Sequence, residues 1–191
     1  MIDTNAFIRE GKTALVLIDL QRGITGRGVV PHSAQQVVAN AARLVSAFRG
    51  ANLPVAFVRV SPTPETALKP LVDNPQQWGP MAAGWDELVP ELGVGPDDIV
   101  VTKKNWGAFY GTDLDLQLRR RDVTRIAIGG ISTSIGVEST ARDAFERNYK
   151  LLFVEDAMAA MSAQEHEYAC SVIFPRMGII RSTDQLAQAL S

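Results

Sequence analysis

Apolar residues along this chain fall into short unbroken runs separated by stretches with helical periodicity. Ala14-Leu15-Val16-Leu17-Ile18 is apolar at every position and ends on Asp19. A strand with one wet face alternates apolar and polar residues, so an unbroken run predicts a strand buried on both faces, as in a parallel sheet covered by helices. Pro54 to Val60, Asp98 to Lys103, Thr124 to Ile128, Lys150 to Ala157 and a short run at Gly178-Ile179-Ile180 read the same way. Between them, Val37, Val38, Ala41, Leu44, Val45 and Phe48 recur at helical spacing over 33–49. Leu114, Leu116 and Leu118, followed by the basic run Arg119-Arg120-Arg121, predict a helix whose positive end suits the C-terminal dipole. Ser162 to Glu165 reads as a capping box opening a helix through Ala169, Val172 and Ile173, and a last helix covers 184–190. Strands alternating with helices predict a three-layer α/β/α domain with a mostly parallel six-stranded sheet, a single domain over 1–191.

Two segments escape this rhythm. Residues 22–28 are rich in glycine but lack the spacing of a dinucleotide fingerprint or a P-loop, so no nucleotide site is read there. Residues 61–80 hold Pro62, Pro64, Pro70, Pro75 and Pro80 and show no periodicity, which predicts a lid, a binding loop or an interface arm. Exposed Trp78, Trp85 and Trp106 would favour an interface between copies of the chain.

Charge narrows the partners. The 191 residues carry a formal net charge of -2 with both signs mixed, so there is no electrostatic footprint for nucleic acid or for a membrane surface. No apolar run approaches the roughly 20 residues of a membrane helix, and no secretory leader is evident. A lone cysteine, Cys170, excludes an internal disulfide framework and fits a reducing compartment. The expectation is a cytoplasmic protein that acts on a small molecule and forms a homo-oligomer.

Candidate chemistry gathers where strands end. In open α/β sheets ligands bind outside the carboxyl ends of strands, which makes Asp19, at the end of the first, a site candidate. Lys103 closes the third strand and Arg59 lies near the end of the second; Arg59 suits either a substrate carboxylate or a structural ion pair. Gly129-Gly130-Ile131-Ser132-Thr133-Ser134-Ile135-Gly136 follows the fourth strand and leads into a helix. It reads as a tight glycine turn at a helix N-terminus, where unpaired N–H groups and the dipole favour an anion. The plainer reading is a connection between elements.

The segments around Asp19, Lys103 and Gly136 resemble those of the isochorismatase-like hydrolases, a superfamily that includes nicotinamidases and N-carbamoyl amidohydrolases. Asp19-Leu20-Gln21 matches its Asp-x-Gln. Residues 103–114 match a Lys-x-x-Tyr-Ser-Ala-Phe-x-Gly-Thr-x-Leu pattern, aligning Lys103 rather than Lys104 with the catalytic lysine, with Trp106 and Gly107 in place of Tyr and Ser. Gly130, Thr133, Val137, Thr140, Ala141, Arg142, Asp143 and Ala144 match a third pattern. There, however, Gly136 stands where the family has its nucleophilic cysteine. An uncharacterised YecD-like branch shares the Trp-Gly-Ala-Phe-Tyr-Gly-Thr-Asp-Leu segment.

The resemblance implies strand order 3-2-1-4-5-6, a catalytic set of Asp19, Lys103 and Gly136, and substrate contacts from Gln21, Arg59, Trp106, Phe109, Tyr110, Ile131, Ser132 and Thr133. It also implies a cis peptide at Ile131–Ser132. A glycine cannot form a thioester, so covalent acyl transfer is unavailable. Ser132, Thr133 and Ser134 are displaced from position 136 by at least two residues and have no histidine nearby to activate them, so they read as backbone and pocket formers. The metal site of nicotinamidase-like relatives uses closely spaced histidines. Here His32 and His166 are far apart in sequence, so no metal and no other cofactor is expected. Cys170, within a helix, reads as a core or interface thiol.

True isochorismatases likewise carry glycine at the cysteine position and hydrolyse a vinyl ether. By resemblance Asp19 is the general acid and Lys103 its electrostatic partner. Hydrolysis of another small substrate without a covalent intermediate, and a non-catalytic binding or scaffold protein that lost the cysteine of an amidase ancestor, are the alternatives.

Overall fold

The computed structural model describes residues 2–73 and 81–191. Its strands are β1 (Lys12–Ile18), β2 (Val55–Val60), β3 (Ile99–Lys103), β4 (Val123–Ile131), β5 (Lys150–Ala159) and β6 (Gly178–Arg181). They form one sheet in the order β3-β2-β1-β4-β5-β6, and every neighbouring pair is parallel. Residue parity along β1 explains the layers. Leu15 and Leu17 join a core with Val37, Ala41, Leu44 and Phe48 of α3 (Ala34–Gly50), to which α1 (Thr4–Arg9) adds Phe7 and α7 (Thr183–Leu190) adds Leu186. Ala14, Val16 and Ile18 point the other way, into a core with Leu114 and Leu118 of α4 (Leu114–Arg119) and Ala141 and Ala144 of α5 (Glu138–Glu146). Both faces of β1 are thus dry, which is why its sequence does not alternate.

Four local readings change. Gly129 and Gly130 lie inside β4, not in a turn. Gly130 has φ 131, and a Cβ there would lie 2.1 Å from the Ile18 carbonyl oxygen, so glycine lets β4 run on beside β1 up to Ile131. The glycine-bearing loop after Gln21 holds a helical turn, α2 (Arg22–Thr25), stitched to the following segment by the Gly23 N–H donating to Trp85 O at 2.9 Å. Trp85 packs on the α3-side core instead of standing exposed, whereas Trp106 is 60% exposed; Trp78, Pro75 and Pro80 lie outside the described residues. Ser162 caps α6 (Ala163–Tyr168) by accepting from Glu165 N–H, but the Glu165 carboxylate is taken by the Ser134 hydroxyl at 3.1 Å, so the reciprocal half of the box is missing. The reciprocal box forms at Ser182 and Gln185, ahead of α7.

Beyond α6 the chain continues through a π-helical turn, Ala169–Ile173. No helix among the described residues is long and apolar enough to cross a membrane.

Candidate active site

Asp19 follows β1 at φ 54, a left-handed conformation that aspartate tolerates better than most residues. Its N–H donates to Val58 O at 2.8 Å and its carbonyl accepts from Gln21 N–H at 2.9 Å, so the backbone pins the kink that turns the carboxyl out of the strand direction. Lys103 ends β3, two strands away, on the same sheet face as Ile99 and Val101. Its Nζ donates to Asp19 Oδ2 at 2.8 Å, to Trp106 O at 2.9 Å and to Asn105 O at 3.1 Å. Three acceptors take up the three protons of an ammonium, so Lys103 is held as a cation with its donors filled. The lysine side chain is 2% exposed and the aspartate 8%.

The third element is the π-helical turn Thr133–Val137, between the cis Ile131–Ser132 peptide and α5. An ideal Cβ built on Gly136 would lie 3.1 Å from Asp19 Oδ2, 3.7 Å from Lys103 Nζ and 2.9 Å from Ile18 Cγ2. Any side chain at 136 would therefore enter the ion pair. Thr140 locks this turn to the lysine loop: its hydroxyl donates to Gly136 O at 2.7 Å and accepts from Ala108 N–H at 3.1 Å. Thr140 is a positioning residue that the sequence patterns contain without revealing its part. The visible signal is a hydroxyl four residues after Gly136, the spacing at which it returns to a helical carbonyl.

Burial and charge compete at Asp19. Loss of water around the carboxylate raises its pKa from 3.8 to about 6; the charge and the hydrogen bond of Lys103 pull in the opposite direction and are outweighed. The carboxyl's two oxygens differ. Oδ2 accepts from Lys103, whereas Oδ1 is buried with no protein partner among the described residues, and the same holds for Ser132 Oγ. Oδ1 is accordingly the oxygen on which a proton would reside.

The remaining predicted contacts divide. Gln21 is wholly buried, and its amide is engaged with β2: Nε2 donates to Val60 O at 3.0 Å and Oε1 accepts from Val60 N–H at 2.8 Å. It clamps the ends of β1 and β2 together. Phe109 is buried against Tyr149, with the Arg147 guanidinium 4.9 Å from its ring, and is a core residue. Ile131 is buried in the α3-side core. Arg59 donates to Thr102 Oγ1 at 3.0 Å, and strand parity sets this pair on the sheet face opposite Lys103. Ser61, through a hydrogen bond, and then Arg59 and Lys104, through charge, hold the Asp86 carboxyl below its ordinary pKa. Lys104 itself donates to Ser61 O. Trp106 contributes its carbonyl to Lys103 while its indole is exposed, and Tyr110 is 72% exposed.

Distance in sequence misled on the histidines. His166 Nδ1 lies 2.9 Å from Thr133 Oγ1, so a histidine does touch the turn. The Thr133 hydroxyl is buried and already paired with that imidazole, so it serves to hold the turn. His32 is also close: its ring centroid is 5.8 Å from that of His166, edge to face. A two-way backbone bridge between Val30 and Ala160, followed by the cis Val30–Pro31 peptide, carries His32 to the end of β5. No local sequence signal announces that pairing.

Pinned carboxyl, filled ammonium and side-chain-free turn lie together at a small, dry centre. Residues 13–185 match the isochorismatase domain, and the chain belongs to the isochorismatase family of hydrolases. It is 51% identical to the uncharacterized isochorismatase family protein YwoC of Bacillus subtilis over 93% of each chain. It is 45% identical to the uncharacterized family protein YecD of Escherichia coli O157:H7, over 93% of this chain and 96% of that one. Among solved structures it resembles an isochorismatase family protein from Burkholderia thailandensis, with TM-score 0.90 and 47% identity over 94% of this chain and 95% of the other. It also resembles N-carbamoylsarcosine amidase from Thermoplasma acidophilum, with TM-score 0.74 and 29% identity over 91% and 97%.

Proposed function

We propose that this protein is a hydrolase that works without a covalent cysteine intermediate, and that it adds water to a vinyl ether of the isochorismate type. The observation that carries this reading is the geometry at Gly136. Where a side chain would project lie Asp19 Oδ2 and Lys103 Nζ, the neighbours of a family nucleophile, but glycine supplies no nucleophile.

The site residues then act as follows. Asp19, protonated on Oδ1, gives its proton to the methylene carbon of the enolpyruvyl group, whose C=C electron pair forms the new C–H bond and leaves an oxocarbenium ion. The Lys103 ammonium stabilises the carboxylate that remains. Water adds to the oxocarbenium carbon and returns a proton to Asp19. The hemiketal collapses, breaking the bond to the ring oxygen and giving pyruvate and the ring alcohol. A carboxyl with a pKa near 6 suits this cycle, because both forms are populated close to neutrality.

A second reading, a binding protein that keeps the pocket and has lost turnover, is favoured by two features. Lys103 has its donors filled within the protein, and Arg59 lies on the other face of the sheet. Neither cation is then free for a substrate carboxylate.

The deciding experiment measures pyruvate release from isochorismate, together with a metabolite screen for ligands and turnover, on the wild type and Asp19→Asn. The enzymatic reading expects pyruvate from the wild type and a loss of at least about 100-fold in Asp19→Asn, the lower end of what a general acid contributes. Ligand binding without turnover in either protein would establish the second reading.

A further inference from the structure

We propose that His32, Glu155 and His166 form a binding site for a divalent transition metal of the zinc class, separate from the Asp19 centre. One ligating atom from each of these residues lies within 4.8 Å of the others. Two imidazoles and a carboxylate suit a borderline metal, and three protein ligands leave a coordination position open. Bonds of about 2.0–2.2 Å imply ligand separations of about 3.4 Å, so binding requires the set to close by up to about 1.4 Å. The half-buried His32 and the exposed Glu155 can supply that movement.

The fold has displaced Glu155 for the purpose. β4 and β5 pair regularly up to Ile128 and Phe153 and resume at Gly130 and Met158, so residues 154–157 bulge out of register. Glu155 thereby leaves the buried strand for the surface, beside a cleft of about 440 Å³ lined by Pro31, Glu155, His166, Glu167 and Cys170.

His166 is prepared as a ligand. Thr133 Oγ1 lies 2.9 Å from Nδ1 and Cys170 Sγ 3.6 Å from Nε2, so each ring nitrogen has a polar neighbour that fixes the orientation of the ring. A ligating histidine typically donates its other N–H to a neighbour, and Thr133 Oγ1 is placed to accept from Nδ1 when Nε2 binds the metal. A cation would relieve the crowding of two imidazoles and find its counter-charge in Glu155.

The test uses the full-length chain, freed of metal with a chelator and titrated with Zn²⁺ by calorimetry and with Co²⁺ by visible absorption. The proposal expects a saturable Zn²⁺ site at one per chain and Co²⁺ bands of a four-coordinate ion. Glu155→Gln and His32→Ala should each weaken binding by at least the roughly 10–100-fold that loss of an outer-shell partner costs. Both changes lie at or near the surface, so the result does not depend on whether a His166 variant folds. Absence of saturable binding in the wild type, or wild-type affinity in both variants, overturns the proposal. Pyruvate release plays no part in either readout, so the metal site and the vinyl-ether reading stand or fall separately.

Discussion

The turn Thr133–Val137 has two polar clusters, one at each end, and they are built on opposite terms. At Gly136 a buried carboxyl and a buried ammonium are paired, and two backbone carbonyls hold the ammonium in place. At Thr133 a buried hydroxyl meets a buried imidazole, which opens through Cys170, His32 and Glu155 to the surface. The first cluster has shed water, so each partner is costly to remove. The second keeps a wet side, so its members can move. Rigidity suits proton transfer at one fixed atom, whereas the open cluster suits capture of an ion.

Removal of one charge tests this contrast most strongly. Lys103→Met leaves Asp19 buried without its cation and should cost about 3–5 kcal/mol, measured by urea unfolding. Glu155→Gln should change stability by no more than about 0.5 kcal/mol in the same measurement. Equal effects would erase the distinction between the clusters.

Crowding at the glycine comes next. Gly136→Ala places a methyl against Ile18 Cγ2 and Asp19 Oδ2, so overpacking should cost about 1–3 kcal/mol, although φ at this position is ordinary. Thr133→Val probes the other end of the turn. It leaves a buried imidazole nitrogen unpaired and should cost about 1–3 kcal/mol, with Thr133→Ser restoring most of the loss.

The smallest effect is a slope. Folding raises the Asp19 pKa from 3.8 to about 6, so in that interval the folded state holds a proton that the unfolded chain has released. Its contribution to stability is present in full below pH 3.8 and is lost as pH rises through about 6. Unfolding midpoints for the wild type, compared with Asp19→Asn between pH 4 and 7, should differ in slope in that direction.

Much of the first cluster was legible in the sequence and little of the second was, for a physical reason. Asp19 and Lys103 terminate apolar runs, and strand ends in a parallel sheet converge on one edge, so local pattern plus topology suffices to bring them together. Gln21 and Phe109 lie in the same motifs but are engaged within the scaffold, Gln21 as a clamp on β2 and Phe109 in the core. His32 and His166 meet through a bridge and a bulge, Val30 to Ala160 and the slipped register of β5, and neither leaves a periodic trace. The spacing of Ser162 and Glu165 predicts a capping box, but Glu165 is drawn to Ser134 instead.

Vinyl-ether hydrolysis at this site requires Asp19 to act as an acid, and the pH dependence of kcat/KM for pyruvate release from isochorismate reports on that directly. With Asp19 as the essential acid, kcat/KM should be level below about pH 6 and fall as pH rises beyond it, since the free enzyme must carry the proton. A rate that climbs through pH 6 would make Asp19 a base and contradict the mechanism.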